Sequence, residues 1–179
     1  MTPEMLVVGV IRIAGSLPVL RWPLAGGLLA IAVDLSDLFL FELLDLGGVD
    51  DYQRFDKVVD QVYLAAFVIA AARWTGLERT VALSLYAFRM VGFIAYELTG
   101  ERLLLLVFPN VFEVWFLLVA ALHHRSRPVT WTAPRLAAAL LACLAVKLLH
   151  EWALHGARLF DSIGAFEALE VIRRALLGP

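Results

Sequence analysis

Long apolar runs separated by short polar breaks alternate along the whole chain. Runs of this length, without the period-two alternation of strands, are typical of helices that cross a membrane. The expected helices cover residues 6–20, 23–44, 57–72, 80–97, 103–122 and 133–155. Residues 160–177 carry apolar side chains at helical spacing, which predicts a surface helix. We therefore expect an all-α polytopic membrane bundle of about six transmembrane helices and a C-terminal interfacial helix, in one domain.

Prolines and one arginine refine these expected helices. The first run is shorter than the ~20 residues that a perpendicular span needs, and it contains Arg12 and Pro18. Pro23 suits the start of the second helix. Pro109 should break the fifth helix and free backbone carbonyls, which need a protein or water partner when they are surrounded by lipid.

Composition agrees with a protein that is integral to a cell membrane. Of 179 residues, 61% are hydrophobic and only 18% are charged, an apolar excess beyond that of ordinary soluble domains. The net charge of -2 gives no electrostatic basis for binding nucleic acid, and we expect no such partner. The single Cys143 allows no internal disulfide. Arginines in the expected loops divide evenly between the two sides, so the positive-inside rule does not orient the chain.

Four aspartates form the main candidate site. Asp34 and Asp37 lie near the end of the second expected helix, and Asp56 and Asp60 lie at the start of the third. Spacings of three and four put each pair on one helix face, and the short loop between the helices lets all four meet. Carboxylates that close require protonation or a cation, and hard oxygen ligands suit Mg²⁺ or Mn²⁺. The alternative, acids facing water at helix ends, accounts for Asp56 better than for Asp34, which lies within an apolar helix.

Further polar residues interrupt the later apolar runs: Arg89, Asn110, Glu113, Lys147, His150 and Glu151. Ion pairing between helices is the commonest fate of buried charge, so we expect Arg89 and Lys147 each to face an acid, either Glu113 or Glu151. In the functional interpretation, Arg89 or Lys147 instead holds an anionic group, such as a lipid phosphate, beside the aspartates. His150 and Glu151 suit interface anchoring better than a metal site, because no metal-binding histidine spacing is present.

The aspartate pairs resemble the signature of the CDP-alcohol phosphatidyltransferase family, six-helix membrane enzymes of phospholipid head-group synthesis. That signature has an Asp-x-x-Asp pair at the end of the second helix and an Asp-x-x-x-Asp pair at the start of the third. All four aspartates take their positions here, with a connecting stretch one residue longer than in the family. The family's first glycine, alanine, arginine and second glycine correspond to Leu38, Phe41, Glu42 and Tyr52.

The resemblance implies a metal-dependent intramembrane enzyme acting on a phosphate-containing lipid, with Mg²⁺ or Mn²⁺ as cofactor. In that interpretation the four aspartates are metal ligands, the ions neutralise the phosphates, and Asp60 takes a proton from an acceptor hydroxyl. Because Leu38 replaces a glycine and Glu42 replaces an arginine, we expect a CDP-linked lipid to bind weakly.

Two other classes of protein are alternatives. The broken fifth helix fits an ion- or proton-coupled transporter or channel, since interrupted helices often line membrane sites. A non-catalytic subunit of a membrane complex would use the charged pairs only to hold helices together. A membrane lipid is the expected partner, and a homodimer is a candidate assembly.

Overall fold

The computed structural model describes residues 3–36, 52–101, 103–126 and 129–152, and the side chains of residues 4, 52–58 and 151 lie outside that description. Within those ranges every regular element is helical, as expected. The elements are α1 (Pro3–Ser16), a 3₁₀ turn (Leu17–Leu20), α2 (Pro23–Leu35), α3 (Tyr52–Ala71), α4 (Gly76–Thr99), α5 (Leu103–Val107), α6 (Val111–His124) and α7 (Ala133–Glu151). The surface helix expected over residues 160–177 falls outside the described residues.

Among the residues that the structure describes, three helices are long and apolar enough to cross a membrane, fewer than the six expected. They are Gly76–Thr99, Leu103–His124 taken across its break, and Ala133–His150. Three further stretches are apolar but shorter: Met5–Leu20, Pro23–Leu35 and Val59–Ala71. The shorter stretches all belong to α1, α2 and α3, which pack against one another.

The first apolar run ends in a tight turn. After Ser16 the chain tightens into the 3₁₀ turn that contains Pro18, and the amide of Trp22 donates to the Pro18 carbonyl at 2.8 Å. α2 then begins at Pro23, as expected, since proline's missing N–H is no loss at a helix start. Gly26 lies so close to the turn that a Cβ there would overlap the backbone of Pro18 and Val19. This close approach brings α2 alongside α1.

The break expected at Pro109 separates α5 from α6. Proline has no N–H for the carbonyl four residues earlier, so the regular helix cannot continue through it. The break lies against α4, where Gly92 faces Phe108 so closely that a Cβ at position 92 would overlap the phenylalanine side chain. The position of the break is therefore fixed by packing against α4 as well as by the proline.

α6 is the central helix of the described bundle, because it packs against α2, α3, α4 and α7. Its buried face carries Phe112, Trp115, Phe116 and Val119, whose spacings of three and four place them on one stripe of a helix. Phe116 stacks on Phe67 of α3 with ring centroids 4.1 Å apart. The hydrophobic core thus lies between α3 and α6.

Candidate functional site

Asp34 and Asp60 meet at a buried arginine to which the sequence pattern gave no role. Arg12 Nη2 forms an ion pair with Asp34 Oδ1 and lies 3.3 Å from Asp60 Oδ1. The three residues, here called the Arg12 cluster, come from α1, α2 and α3. The Arg12 side chain is only 4% exposed, and a buried charge without a partner is strongly destabilising. The arginine and the two acids therefore require each other.

The expected meeting of the aspartates is confirmed for this pair. Both carboxylates contact one nitrogen atom, so they lie well within a helix diameter of ~10 Å. Asp37 and the side chain of Asp56 lie outside the described residues, and their place in a shared site stays a prediction. Asp56 is one turn before Asp60 on α3, which puts both on one face. Arg12 could have been found as a lone cation in an apolar run, which demands an acid on a neighbouring helix.

The Arg12 cluster offers a divalent ion two carboxylates and one competing cation. Oxygen ligands from Asp34 and Asp60 suit Mg²⁺ or Mn²⁺, but the Arg12 guanidinium already contacts both of them. Among the residues that the structure describes, no group of three or more histidine, cysteine or acidic side chains is arranged to hold a metal. An ion fits here only if the two remaining aspartates of the pattern add ligands and Arg12 moves away from the carboxylates.

A second group of buried polar side chains surrounds the helix break. Arg89, Asn110, Glu113 and Lys147, here called the Pro109 cluster, are each at most 8% exposed. Lys147 Nζ lies 3.4 Å from Glu113 Oε2, which confirms the expected pairing of that lysine with an acid. Asn110 Nδ2 donates to the same oxygen at 3.0 Å, and His150 Nδ1 lies 3.5 Å from Lys147 Nζ. The Glu151 side chain lies outside the described residues.

The described contacts of Arg89 are made with backbone carbonyls, and its expected pairing with an acid stays a prediction because the Glu151 side chain lies outside the description. Arg89 Nη1 donates to the carbonyls of Phe108 at 2.9 Å and Leu105 at 3.3 Å. Pro109 has no N–H for the Leu105 carbonyl, so that oxygen would lack a partner without the guanidinium. The need of the freed carbonyls for a partner was predicted correctly, and the partner is a cation from α4. Arg89 Nε and Asn110 Oδ1 remain buried without a hydrogen-bond partner.

Tyr63 shows where the two clusters lie relative to each other. It is buried on α3, nearly one turn after Asp60, so both side chains lie toward the same side of the helix. Its ring contacts Phe67 one turn later, and Phe67 in turn contacts the ring of Phe112, the residue before Glu113. The Arg12 cluster and the Pro109 cluster therefore lie at neighbouring heights of α3 and α6, and we call them together the polar region.

Aromatic rings fill the bundle beyond this polar region. Tyr63 meets Phe67 edge to face with centroids 5.5 Å apart, and Phe67 stacks on Phe116. Phe116 in turn stacks on Trp74, with centroids 5.2 Å apart. On α3 the polar residues precede these rings, and on α6 Glu113 likewise precedes Phe116. The buried charged side chains of the two clusters thus lie in one half of the described core, and packed aromatic rings lie in the other half.

Comparisons with protein-family models, with curated proteins and with solved structures find no match. The resemblance to CDP-alcohol phosphatidyltransferases stays a prediction from the aspartate pattern. The chemistry of this chain must therefore be argued from its own residues.

Proposed function

We propose that the protein is an integral membrane enzyme that acts on a phosphate-containing lipid at the Arg12 cluster. The observation that carries the proposal is the meeting of Asp34 and Asp60, from two helices, at a buried arginine. Membrane location is supported by three helices of sufficient length and apolarity. In this proposal the shorter apolar stretches in α1, α2 and α3 also cross the membrane, which gives six crossings.

The two acids and the arginine supply complementary parts of a phosphate site. Asp34 and Asp60, with the other two aspartates of the pattern, would hold Mg²⁺ or Mn²⁺, and such an ion neutralises phosphate charge. Arg12, released from the carboxylates, pairs with the phosphate, for which the forked guanidinium is well shaped. It thereby supplies the positive charge that is lost where Glu42 stands in place of the family's arginine. Asp60 accepts the proton of the acceptor hydroxyl.

The position of the buried charges in one half of the described core favours an enzyme over a channel. A conduction path places its selecting carbonyl or charged groups along an open pore, whereas Phe67, Phe116 and Trp74 stack closely in one half of the core. The carbonyls freed at the break, which a transporter would offer to an ion, are occupied by Arg89. A non-catalytic subunit, in which both clusters only hold helices together, is the remaining alternative, and metal and lipid binding distinguish it. A homodimer would suit the apolar outer face of α7, where Leu141 and Leu149 are exposed.

Metal binding is tested by thermal unfolding of the purified protein in detergent. We expect Mn²⁺ or Mg²⁺ to raise the unfolding temperature, since a ligand at a hundredfold excess over its Kd adds about 2.7 kcal/mol. Asp60→Asn should remove this gain. Arg12→Met should keep or enlarge it, because the competing cation is gone. Glu97→Gln, which removes an exposed acid of α4, is the control and should leave the gain unchanged.

A gain that persists in Asp60→Asn, or that falls equally in Glu97→Gln, would mean that the ion binds elsewhere. Absence of any gain in the wild-type protein would leave both clusters with a structural role and favour the non-catalytic subunit.

Lipid binding is tested separately, by titration in the presence of Mn²⁺. Leu38 and Glu42 oppose a donor that carries two phosphates, so phosphatidylglycerol, with one phosphate charge, should bind more tightly than CDP-diacylglycerol. The double change Leu38→Gly with Glu42→Arg should improve CDP-diacylglycerol binding. Arg12→Met should weaken binding of both lipids while metal stabilisation persists. Tight binding of CDP-diacylglycerol to the wild-type protein would contradict this assignment and favour the ordinary activity of the family.

A further inference from the structure

A cleft of about 330 Å³ opens at the end of the bundle beyond the aromatic rings. It lies between the start of α2, the segment after α3 and the end of α6. Its apolar wall includes Trp22 and Trp74, and its polar lining consists of Arg21, His123 and His124. We call it the Arg21 cleft. Its volume lies within the range of pockets that hold small ligands, ~300–1,000 Å³.

The Arg21 cleft is far from the Arg12 cluster. Trp74 in its wall follows Asp60 by fourteen positions, almost all of them within α3. At 1.5 Å per residue, the eleven positions from Asp60 to the end of α3 at Ala71 separate the two sites by roughly 16 Å along the helix direction. The packed rings of Phe67 and Phe116 lie between them. The cleft is therefore not an extension of the proposed catalytic site.

Charge at this end of the bundle favours an anion. Arg21 and His124 are exposed at the cleft, and Arg73 is fixed beside it because its Nη1 donates to the Leu20 carbonyl at 2.6 Å. Within the described ranges the acid at this end is Glu78. Its carboxylate accepts a hydrogen bond from Trp131 Nε1 at 2.9 Å and lies 2.7 Å from His123 Nε2. Arg21 and His124 are thus left as the polar groups that can meet a ligand.

The lining of the Arg21 cleft also favours one chemical form of the anion, a phospholipid rather than a free inorganic anion. Beside Arg21 and the two histidines, the wall is made of indole rings and aliphatic side chains. The Trp22 side chain is 62% exposed. Indoles and cations together favour the head-group region of a bilayer. A free inorganic anion would contact Arg21 and His124 but leave the apolar wall uncovered. A phospholipid can contact the polar groups with its phosphate and the apolar wall with its glycerol and methylene groups.

We propose that the Arg21 cleft binds an anionic phospholipid of the surrounding bilayer. Its phosphate lies against Arg21 and His124, and its glycerol and first methylene groups lie against Trp22 and Trp74. This lipid is a bound cofactor of the membrane environment rather than a substrate. The inference shares with the proposed function only the premise that the helices cross a bilayer.

The experiment compares lipid affinities of the full chain in neutral detergent with EDTA, because lipid binding at the Arg12 cluster requires a divalent ion in the proposed function. The affinities are measured by native mass spectrometry and by Trp fluorescence. The wild-type protein should prefer phosphatidylglycerol to phosphatidylcholine by about fivefold or more, since one arginine near an anionic lipid contributes about fivefold. The double variant Arg21→Gln with His124→Gln should lose this preference. Arg79→Gln removes an exposed arginine of α4 outside the cleft lining and should keep it. Inorganic phosphate should bind at least about tenfold more weakly than the lipid, because it leaves the apolar wall uncovered.

Equal loss of preference in Arg79→Gln would show general surface attraction and overturn the proposal, as would equal affinity for the two lipids. Equal binding of inorganic phosphate would reassign the cleft to a free anion. Alkaline extraction of membranes tests the shared premise alone, because an integral protein stays with the lipid. The metal response of the Arg12 cluster should be the same in the Arg21→Gln, His124→Gln variant, so the two proposals can fail separately.

Discussion

Arg89→Met should destabilise the protein by about 3 kcal/mol, because it removes a charged donor from two partly buried carbonyls at once. The Phe108 carbonyl accepts at 2.9 Å and the Leu105 carbonyl at 3.3 Å. A hydrogen bond to a charged group contributes about 1.5–3 kcal/mol, and an orphaned buried carbonyl costs about 1–3 kcal/mol. The hydrogen bond to the Leu105 carbonyl is the longer one and should contribute least, so we expect the total loss of stability to lie near the lower end of these ranges. Methionine keeps most of the side-chain volume, which limits any cavity effect.

The proline provides a partner mutation that isolates the role of Arg89. Pro109→Ala restores an N–H whose helical acceptor is the carbonyl of Leu105, four residues earlier. In that background the Leu105 carbonyl has its own donor, and Arg89→Met should cost about 1 kcal/mol less than in the wild-type protein. The difference between the two losses measures how far the guanidinium substitutes for the missing amide.

The assay is equilibrium unfolding in mixed micelles for the four members of this double-mutant cycle, with Arg79→Met as control. Arg79 is exposed near the start of α4, so its loss should change stability by no more than about 0.5 kcal/mol. A loss for Arg89→Met as small as that of the control would refute the capping role. A loss that is equally large with and without Pro109 would assign the effect to packing instead.

Two further pairs of changes test packing and charge. Gly26→Ala should destabilise by about 1–3 kcal/mol because its Cβ would overlap the 3₁₀ turn, whereas Gly9→Ala, with nothing within 4 Å of its Cβ, should be neutral or raise the unfolding temperature. A similar loss at both positions would contradict the close approach of α2 to the turn. Lys147→Met should cost about 3–5 kcal/mol by leaving Glu113 buried without a cation, and adding Glu113→Gln should recover at least half of this free energy of unfolding. Failure of the second change to recover stability would show that the pair does not act through charge.

Local sequence signals predicted the features that depend on one stretch of chain. Pro23 marks the start of α2 and Pro109 the break between α5 and α6, because a missing N–H acts on the helix that contains it. The meeting of Asp34 and Asp60 was also predictable, since the aspartates lie at facing ends of consecutive helices.

The partners of Arg12 and Arg89 could not be derived in the same way. Helical spacing tells which residues share a face, but it does not tell which helix packs against that face or at what height. A guanidinium at Arg89 can take a carboxylate or a carbonyl, and the choice depends on the height at which the α5–α6 break meets α4. The approach that sets this height needs the bare backbone of Gly92, which no periodicity reveals.

The Arg12 cluster also constrains the order of events while the chain is made. Its three charges lie in α1, α2 and α3, which are synthesised in that order. A lone arginine or aspartate is costly in lipid, so Arg12 cannot settle there stably until Asp34 and Asp60 have been synthesised. For a chain that enters a bilayer, α1, α2 and α3 should move from the insertion machinery into lipid as one unit. The ion pairs that form the candidate site would thus also determine when α1, α2 and α3 enter the lipid.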